Sequence, residues 1–67
     1  MKITNDNIDS IAWVEWEDDN STAIIIRVER EGCPPHDPNV YYLSREYGMQ
    51  RASLSWLAID AIGHTSM

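Results

Sequence analysis

The chain has a single cysteine, Cys33, among its 67 residues. An intramolecular disulfide framework is therefore excluded, and a thiol left alone suits a reducing compartment. Only three glycines are present, too few for a glycine-rich loop that cradles a phosphate. The longest uncharged apolar stretch, Ala52 to Ile59, contains two serines and falls far short of the roughly 20 residues a membrane helix needs. The opening residues, Met-Lys-Ile-Thr-Asn-Asp, hold no apolar segment of the signal-peptide kind. Basic side chains are also scarce: five Lys and Arg stand against eleven Asp and Glu, a net charge of −6. Such a chain gains little from phosphate counterion release or from an anionic leaflet, so direct nucleic-acid binding and membrane binding are disfavoured. These absences leave a cytoplasmic protein as the expectation, in the host cell if the chain is virus- or plasmid-borne.

What is present is compositionally globular. Apolar residues make up 43% and charged residues 24%, well away from a disordered composition. A chain this short buries about 60% of its unfolded surface, enough for one small core and no second domain. Charge is concentrated at the start. Residues 1–20 carry Asp6, Asp9, Glu15, Glu17, Asp18 and Asp19 against Lys2 alone, whereas residues 21–67 are close to balanced.

Residues 1–7 are polar and turn-forming, a short lead-in. From Ile8 to Trp16 the β-branched and aromatic content predicts a strand. Glu17-Asp18-Asp19-Asn20-Ser21 then forms a turn, and Thr22 to Glu31 a second strand, closing a β-hairpin. Strict alternation puts Ile24, Ile26 and Val28 on one face, and Ile25, Arg27 and Glu29 on the other. Three prolines between Pro34 and Pro38 make residues 32–39 a stiff loop. Val40 to Leu43 predicts a third antiparallel strand. Leu54, Leu57, Ala58, Ala61 and Ile62 fall at helical spacing, with Gly63 at the C′ position, predicting a C-terminal helix over about 51–62. The expected fold is α+β: a hairpin and third strand packed by that helix. Ala52, Trp56 and Ile59 then form a second, smaller apolar patch on it, suited to a partner or a homodimer.

Catalytic and metal chemistry is thin. Cys33-Pro-Pro-His36 has ligand-like spacing, but a structural zinc site wants four ligands and no second pair exists. A nucleophilic Cys33 would need a base or helix terminus to lower its pKa, and His36 on a proline-rich loop is weak grounds. Glu15, Glu17, Asp18 and Asp19 lack a calcium-loop pattern. Neither enzymatic activity, a cofactor nor a bound metal is expected.

Leu43 to Leu57 resembles the helix-turn-helix pattern of bacterial repressors and recombinases. Ser44 precedes Gly48 by four, Tyr47 and Met49 flank the glycine, and Leu54 and Leu57 would anchor a second helix. The resemblance spans about fifteen residues and implies a DNA-binding regulator with Gln50, Arg51, Ser53 and Ser55 facing the major groove. Against it stand the hairpin over 8–31 where a first helix should be, only Arg45 and Arg51 for phosphates, and the sign of the charge.

A protein-binding surface is the leading expectation. Trp13, Glu15, Trp16, Glu17, Asp18 and Asp19 join aromatic and acidic groups on one strand and turn, with Trp56 and Ile59 on the helix. Tryptophan anchors interfaces and a carboxylate rim selects Lys- or Arg-bearing partners. Alternation gives Trp13 and Glu15 one face and Val14 and Trp16 the other, so one tryptophan belongs to the core. The partner is expected to be a basic protein, such as part of a nucleic-acid-handling complex. Small acidic chains of this kind resemble, by class alone, virus- and plasmid-borne inhibitors, including DNA mimics and anti-CRISPR-like proteins.

Overall fold

A computed structural model describes residues 1–65. It is mostly a five-stranded antiparallel sheet, with one short helix. The strands are β1 (Ile11–Trp16), β2 (Thr22–Glu29), β3 (Asn39–Ser44), β4 (Gly48–Ser53) and β5 (Ala61–Thr65), with α1 (Leu54–Leu57) between the last two. Their order across the sheet is β4-β3-β2-β1-β5, and every pairing is antiparallel. The hairpin and the third strand form where the sequence predicts them. Ile8–Ser10 is a turn of 3₁₀ helix, so β1 begins at Ile11.

The segment after β3 corrects the sequence reading most. Residues 48–53 form β4, although a helix is expected from about residue 51, and Ala61–Thr65 form the edge strand β5 beside β1. Only Leu54–Leu57 is helical. Gly48 adopts a left-handed φ of 76° that closes the β3–β4 hairpin, a conformation glycine reaches without a Cβ clash. Ser44 Oγ accepts from the amides of Glu46 and Tyr47 and fixes the turn. A helix-turn-helix over 43–57 is therefore not formed: strand, turn, strand and one helical turn occupy those residues. Four of the five apolar positions of the expected stripe still face inward, and Ile62, next to Ala61 in β5, falls on the opposite face with Glu15. Leu54, Leu57 and Ala61 are buried and Ala58 packs against the core. They arrive there from three different backbone conformations, and ladder pairing with β1 decides the matter for Ala61 and Ile62. Gly63 is no helix cap. A Cβ there would lie 2.5 Å from Ile11 Cδ1, so only glycine lets β5 approach the core this closely.

Two irregularities set which residues face inward. Pairing shifts by one residue between Ile11 and Trp13, and again between Ile25 and Arg27. Each extra residue, Ala12 and Ile26, restarts the alternation, as a β-bulge does. Ala23, Ile25 and Val28 accordingly turn to the core, while Ile24 and Ile26 are exposed. The expected grouping of Ile24 and Ile26 with Val28 fails at the bulge. The core gathers Ile11, Val14, Ala23, Val40, Tyr42 and Ala61 on one sheet face. It is closed by Leu54 and Leu57 from α1 and by Ile3 and Ile8 from the N-terminal segment.

That segment is more than a lead-in. Ile3 is buried, Lys2 bridges to Ile62, and Met1 and Gly63 exchange two backbone hydrogen bonds of 2.7 and 2.8 Å. Arg30, at the end of β2, donates to Asn5 Oδ1 and pairs with Asp9 at 3.0 Å, tying the same segment down. Among the described residues no helix is long and apolar enough to cross a membrane.

Candidate functional site

Three turns meet at one end of the sheet. The β1–β2 turn (17–21) and the β3–β4 turn (45–47) come together because Ala23 pairs with Ser44. The turn between α1 and β5 joins them: Trp16 pairs with Ala61, and the Glu17 amide donates to the Asp60 carbonyl at 3.1 Å. Chain direction forces the two hairpin turns together, since both links between antiparallel neighbours fall at the same end of the sheet, and the third turn arrives there because β5 pairs with β1 after α1 has carried the chain back across the core.

Between the turns, on the core face that α1 leaves uncovered, lies a cleft of about 540 Å³. Trp16, Tyr42 and Trp56 line it together with Gln50. Trp16 packs on the core and meets Tyr42 in a tilted pair, ring centroids 5.5 Å apart and planes at 54°. Trp56 is 52% exposed and is held at the mouth by α1. That helix is a single turn, but it is pinned on both sides. Ser53 Oγ accepts from the Trp56 amide at 3.3 Å, while the Asp37 carboxylate accepts from the Ser55 amide at 2.8 Å and from Ser55 Oγ at 3.0 Å. Such side-chain acceptors satisfy amides that a helix start leaves without partners. Gln50 reaches back to the Tyr47 carbonyl at 2.9 Å and stiffens the far wall. A second groove of about 400 Å³ continues the cleft along β4, past Ala52 and Ser53.

The rim is acidic. Asp19 and Glu46 line the cleft beside one cation, Arg45, and Glu17, Asp18 and Asp60 lie elsewhere in the three turns. Asp19 is the best fixed of them, because Ser21 donates to its Oδ1 from both hydroxyl (2.7 Å) and amide (3.0 Å). These bonds, the hydroxyl's first, hold the Asp19 carboxyl below the ordinary range. Asn20 takes a left-handed φ of 59° to complete the turn. At the floor, burial pushes the Tyr42 phenol above its ordinary pKa, which keeps it neutral.

The expected site residues divide between two faces. Trp16, Asp19 and Trp56 line the cleft, and Glu17 and Asp18 stand in the turn beside it. Trp13 and Glu15 lie on the opposite sheet face with His64. There Trp13 stacks on the imidazole, and Glu15 Oε1 is 3.5 Å from its Nε2, within ion-pair range although no hydrogen bond is made. Ile59 is 76% exposed in the α1–β5 turn and does not line the cleft. The Ala52, Trp56 and Ile59 patch is thereby dispersed over a strand, a helix and a turn. Arg45 and Gln50 are cleft residues that the sequence offers only for the helix-turn-helix alternative. A hairpin turning just before Gly48 would have placed both, and the helical spacing of 54–62 hid it.

Cys33 lies half-buried in the loop between β2 and β3 with a free thiol. Among the described residues no three His, Cys, Asp or Glu side chains are grouped to hold a metal ion. Compared with known protein families, with curated proteins and with solved structures, the chain matches none.

Proposed function

We propose that the protein is a non-enzymatic binding module whose cleft takes a Lys- or Arg-bearing segment of a partner protein. The observation that supports this most is the union of Trp16, Tyr42 and Trp56 in one cleft that Asp19 and Glu46 also line, with Glu17, Asp18 and Asp60 in the same three turns. Aromatic faces attract a desolvated ammonium or guanidinium, and the carboxylates steer a basic segment toward them. A basic protein, such as a component of a nucleic-acid-handling complex, would carry such a segment. Occupying it would make this chain a stoichiometric inhibitor acting in the cytoplasm, of the host if the chain is virus- or plasmid-borne. The cleft is open and its hydroxyls are engaged in turn hydrogen bonds, Ser21 donating to Asp19 and Ser44 accepting from the Glu46 and Tyr47 amides, which favours binding over catalysis.

The experiment is capture from a host lysate at low and high salt, then affinity measurement with the purified captured protein. Trp56→Ala should weaken binding about tenfold or more, since truncating a central tryptophan has that effect at an interface. Reversing Glu17, Asp18 and Asp19 to lysine should slow association and flatten its salt dependence. Normal binding by both variants would reject the cleft. Retention of duplex DNA that Arg51→Ala abolishes would reject a protein partner altogether.

A further inference from the structure

The face of the sheet away from the core is open and carries an apolar row across its width. Register pairs Met49 with Leu43, Leu43 with Ile24, Ile24 with Trp13, and Trp13 with His64. Met49, Leu43 and Ile24 are 55%, 42% and 56% exposed, and the bulge adds Ile26. An antiparallel sheet with one covered face ordinarily presents polar residues on the other. We propose that this face is a homodimer interface, in which a second copy packs face to face about a two-fold axis parallel to the strands and centred on β2.

Self-complementarity is the reason to choose a second copy. β2 is the middle strand of five. The two-fold therefore lays β3 over the copy's β1, β4 over its β5, and β2 over itself. Leu43 then meets Trp13 of the other copy, Met49 meets His64, and Ile24 meets Ile24. The charges follow. Arg45, the first residue of the β3–β4 turn, borders the cleft on one side and, on the other, a hollow of about 340 Å³ with Thr22, Ile24 and Leu43. Glu15 on β1 is level with Thr22, on the opposite side of the axis. Each Arg45 is thus carried over the copy's Glu15, giving two equivalent ion pairs. On the axis Arg27 meets Arg27 of the other copy, each guanidinium already stacked on Tyr41 at 4.2 Å and 3.5 Å from Glu29, so that compensated pairs oppose one another there.

The area is adequate for a modest dimer. Five strands about 4.8 Å apart and six residues at about 3.3 Å each give roughly 480 Å² per face, about 1,000 Å² for the pair. That is the lower bound of a specific interface, so dissociation in the micromolar range is expected. The acidic clefts lie on the outer faces of such a sandwich. Its two sheets are already about 10 Å apart, so the clefts are separated by more than a Debye length at physiological salt.

Sedimentation equilibrium over roughly 1–500 μM, a range bracketing micromolar dissociation, tests the proposal. Wild type should dimerise, and Ile24→Thr with Leu43→Thr should raise the dissociation constant at least tenfold while circular dichroism keeps the sheet signature. The charge cycle covers the case in which that variant misfolds. Arg45→Glu and Glu15→Arg should each weaken the dimer, and the two together should restore it. A wild type that stays monomeric across the range overturns the proposal. So does a dimer that survives both the threonine variant and the charge reversals. Trp56→Ala should leave dimerisation unchanged, which keeps this result separate from the fate of the cleft.

Discussion

The Trp13 indole lies flat on the His64 imidazole, with ring centroids 3.9 Å apart and planes 8° from parallel. The two are direct cross-strand partners of β1 and β5, so this stack joins an edge strand to the sheet on the face that has no core behind it. Cross-strand aromatic pairs stabilise a sheet by about 0.5–1.5 kcal/mol beyond the area they bury. His64→Ala should therefore lower the unfolding free energy by about 1 kcal/mol in urea titration. His64→Phe, which keeps a stacking ring, should recover most of it. Equal losses from the two variants would show that the stack itself contributes nothing.

Gly63 offers a sharper packing test on the core side of the same strand. A Cβ at this position would sit 2.5 Å from Ile11 Cδ1 and 3.1 Å from Ile11 Cγ1, with Ile3 Cγ1 at 3.2 Å. Both isoleucines are buried, so neither moves freely. Gly63→Ala should cost about 1–3 kcal/mol through overpacking. Ile11→Val removes the atom in closest conflict and costs about 0.5–1.5 kcal/mol alone. In the double variant the two losses should fall short of their sum, a coupling that thermal or urea unfolding of the four proteins measures. Strict additivity would mean that β5 relaxes away from Ile11 instead.

The β1–β2 turn has a pH signature. Ser21 holds the Asp19 carboxyl below its ordinary value near 3.8 through its hydroxyl and then its amide. A carboxyl depressed in the folded state adds stability that is present above its unfolded pKa and lost as pH falls through its folded value. Carboxyl-carbon NMR should show Asp19 titrating below 3.8, and Ser21→Ala should move it upward. The same substitution should flatten the acid limb of the stability curve between those two values. An Asp19 titration indifferent to Ser21→Ala would refute the assigned cause.

Legibility in the sequence tracked the range of the interaction. The β1–β2 hairpin was visible because its signals are local: β-branched runs on both sides of Glu17-Asp18-Asp19-Asn20-Ser21. The third strand was visible for the same reason. The helix expected over about 51–62 does not form beyond one turn, because Leu54, Leu57, Ala58, Ala61 and Ile62 satisfy helical spacing while the conformation of the flanking residues is set by partners far away in sequence. Ala61 pairs with Trp16, and Ala52 with Val40, contacts that no window of local periodicity contains. The bulge at Ile26 is equally invisible, since three consecutive isoleucines give no sign of which one is extra. For the candidate site, the aromatic and acidic residue types were legible from the outset. Alternation put Trp13 and Glu15 on the face opposite Trp16, as found, but which residues join Trp16 in a cleft depended on β4, and so Gln50 went unassigned to that surface.

The link between the proline-rich loop and the cleft runs through Asp37. Its carboxylate accepts from the Ser55 amide at 2.8 Å and from the Ser55 hydroxyl at 3.0 Å, while the Leu54 amide donates to the Pro38 carbonyl at 2.9 Å. A four-residue helix has no stability of its own, so these bonds and the burial of Leu54 and Leu57 keep it formed. Asp37→Ala should cost about 1 kcal/mol, the usual loss when a capping acceptor is removed. It should also free Trp56, which such a short helix cannot otherwise hold at the cleft mouth. The expected readouts are a lower unfolding midpoint, a change in tryptophan emission that Trp56→Phe abolishes, and weaker partner binding at unchanged salt dependence. Because Asp37 lies outside the acidic rim, a loss of binding with altered salt dependence would mean that its charge acts on the partner directly. Unchanged binding and emission would mean that Leu54 and Leu57 alone set the position of Trp56.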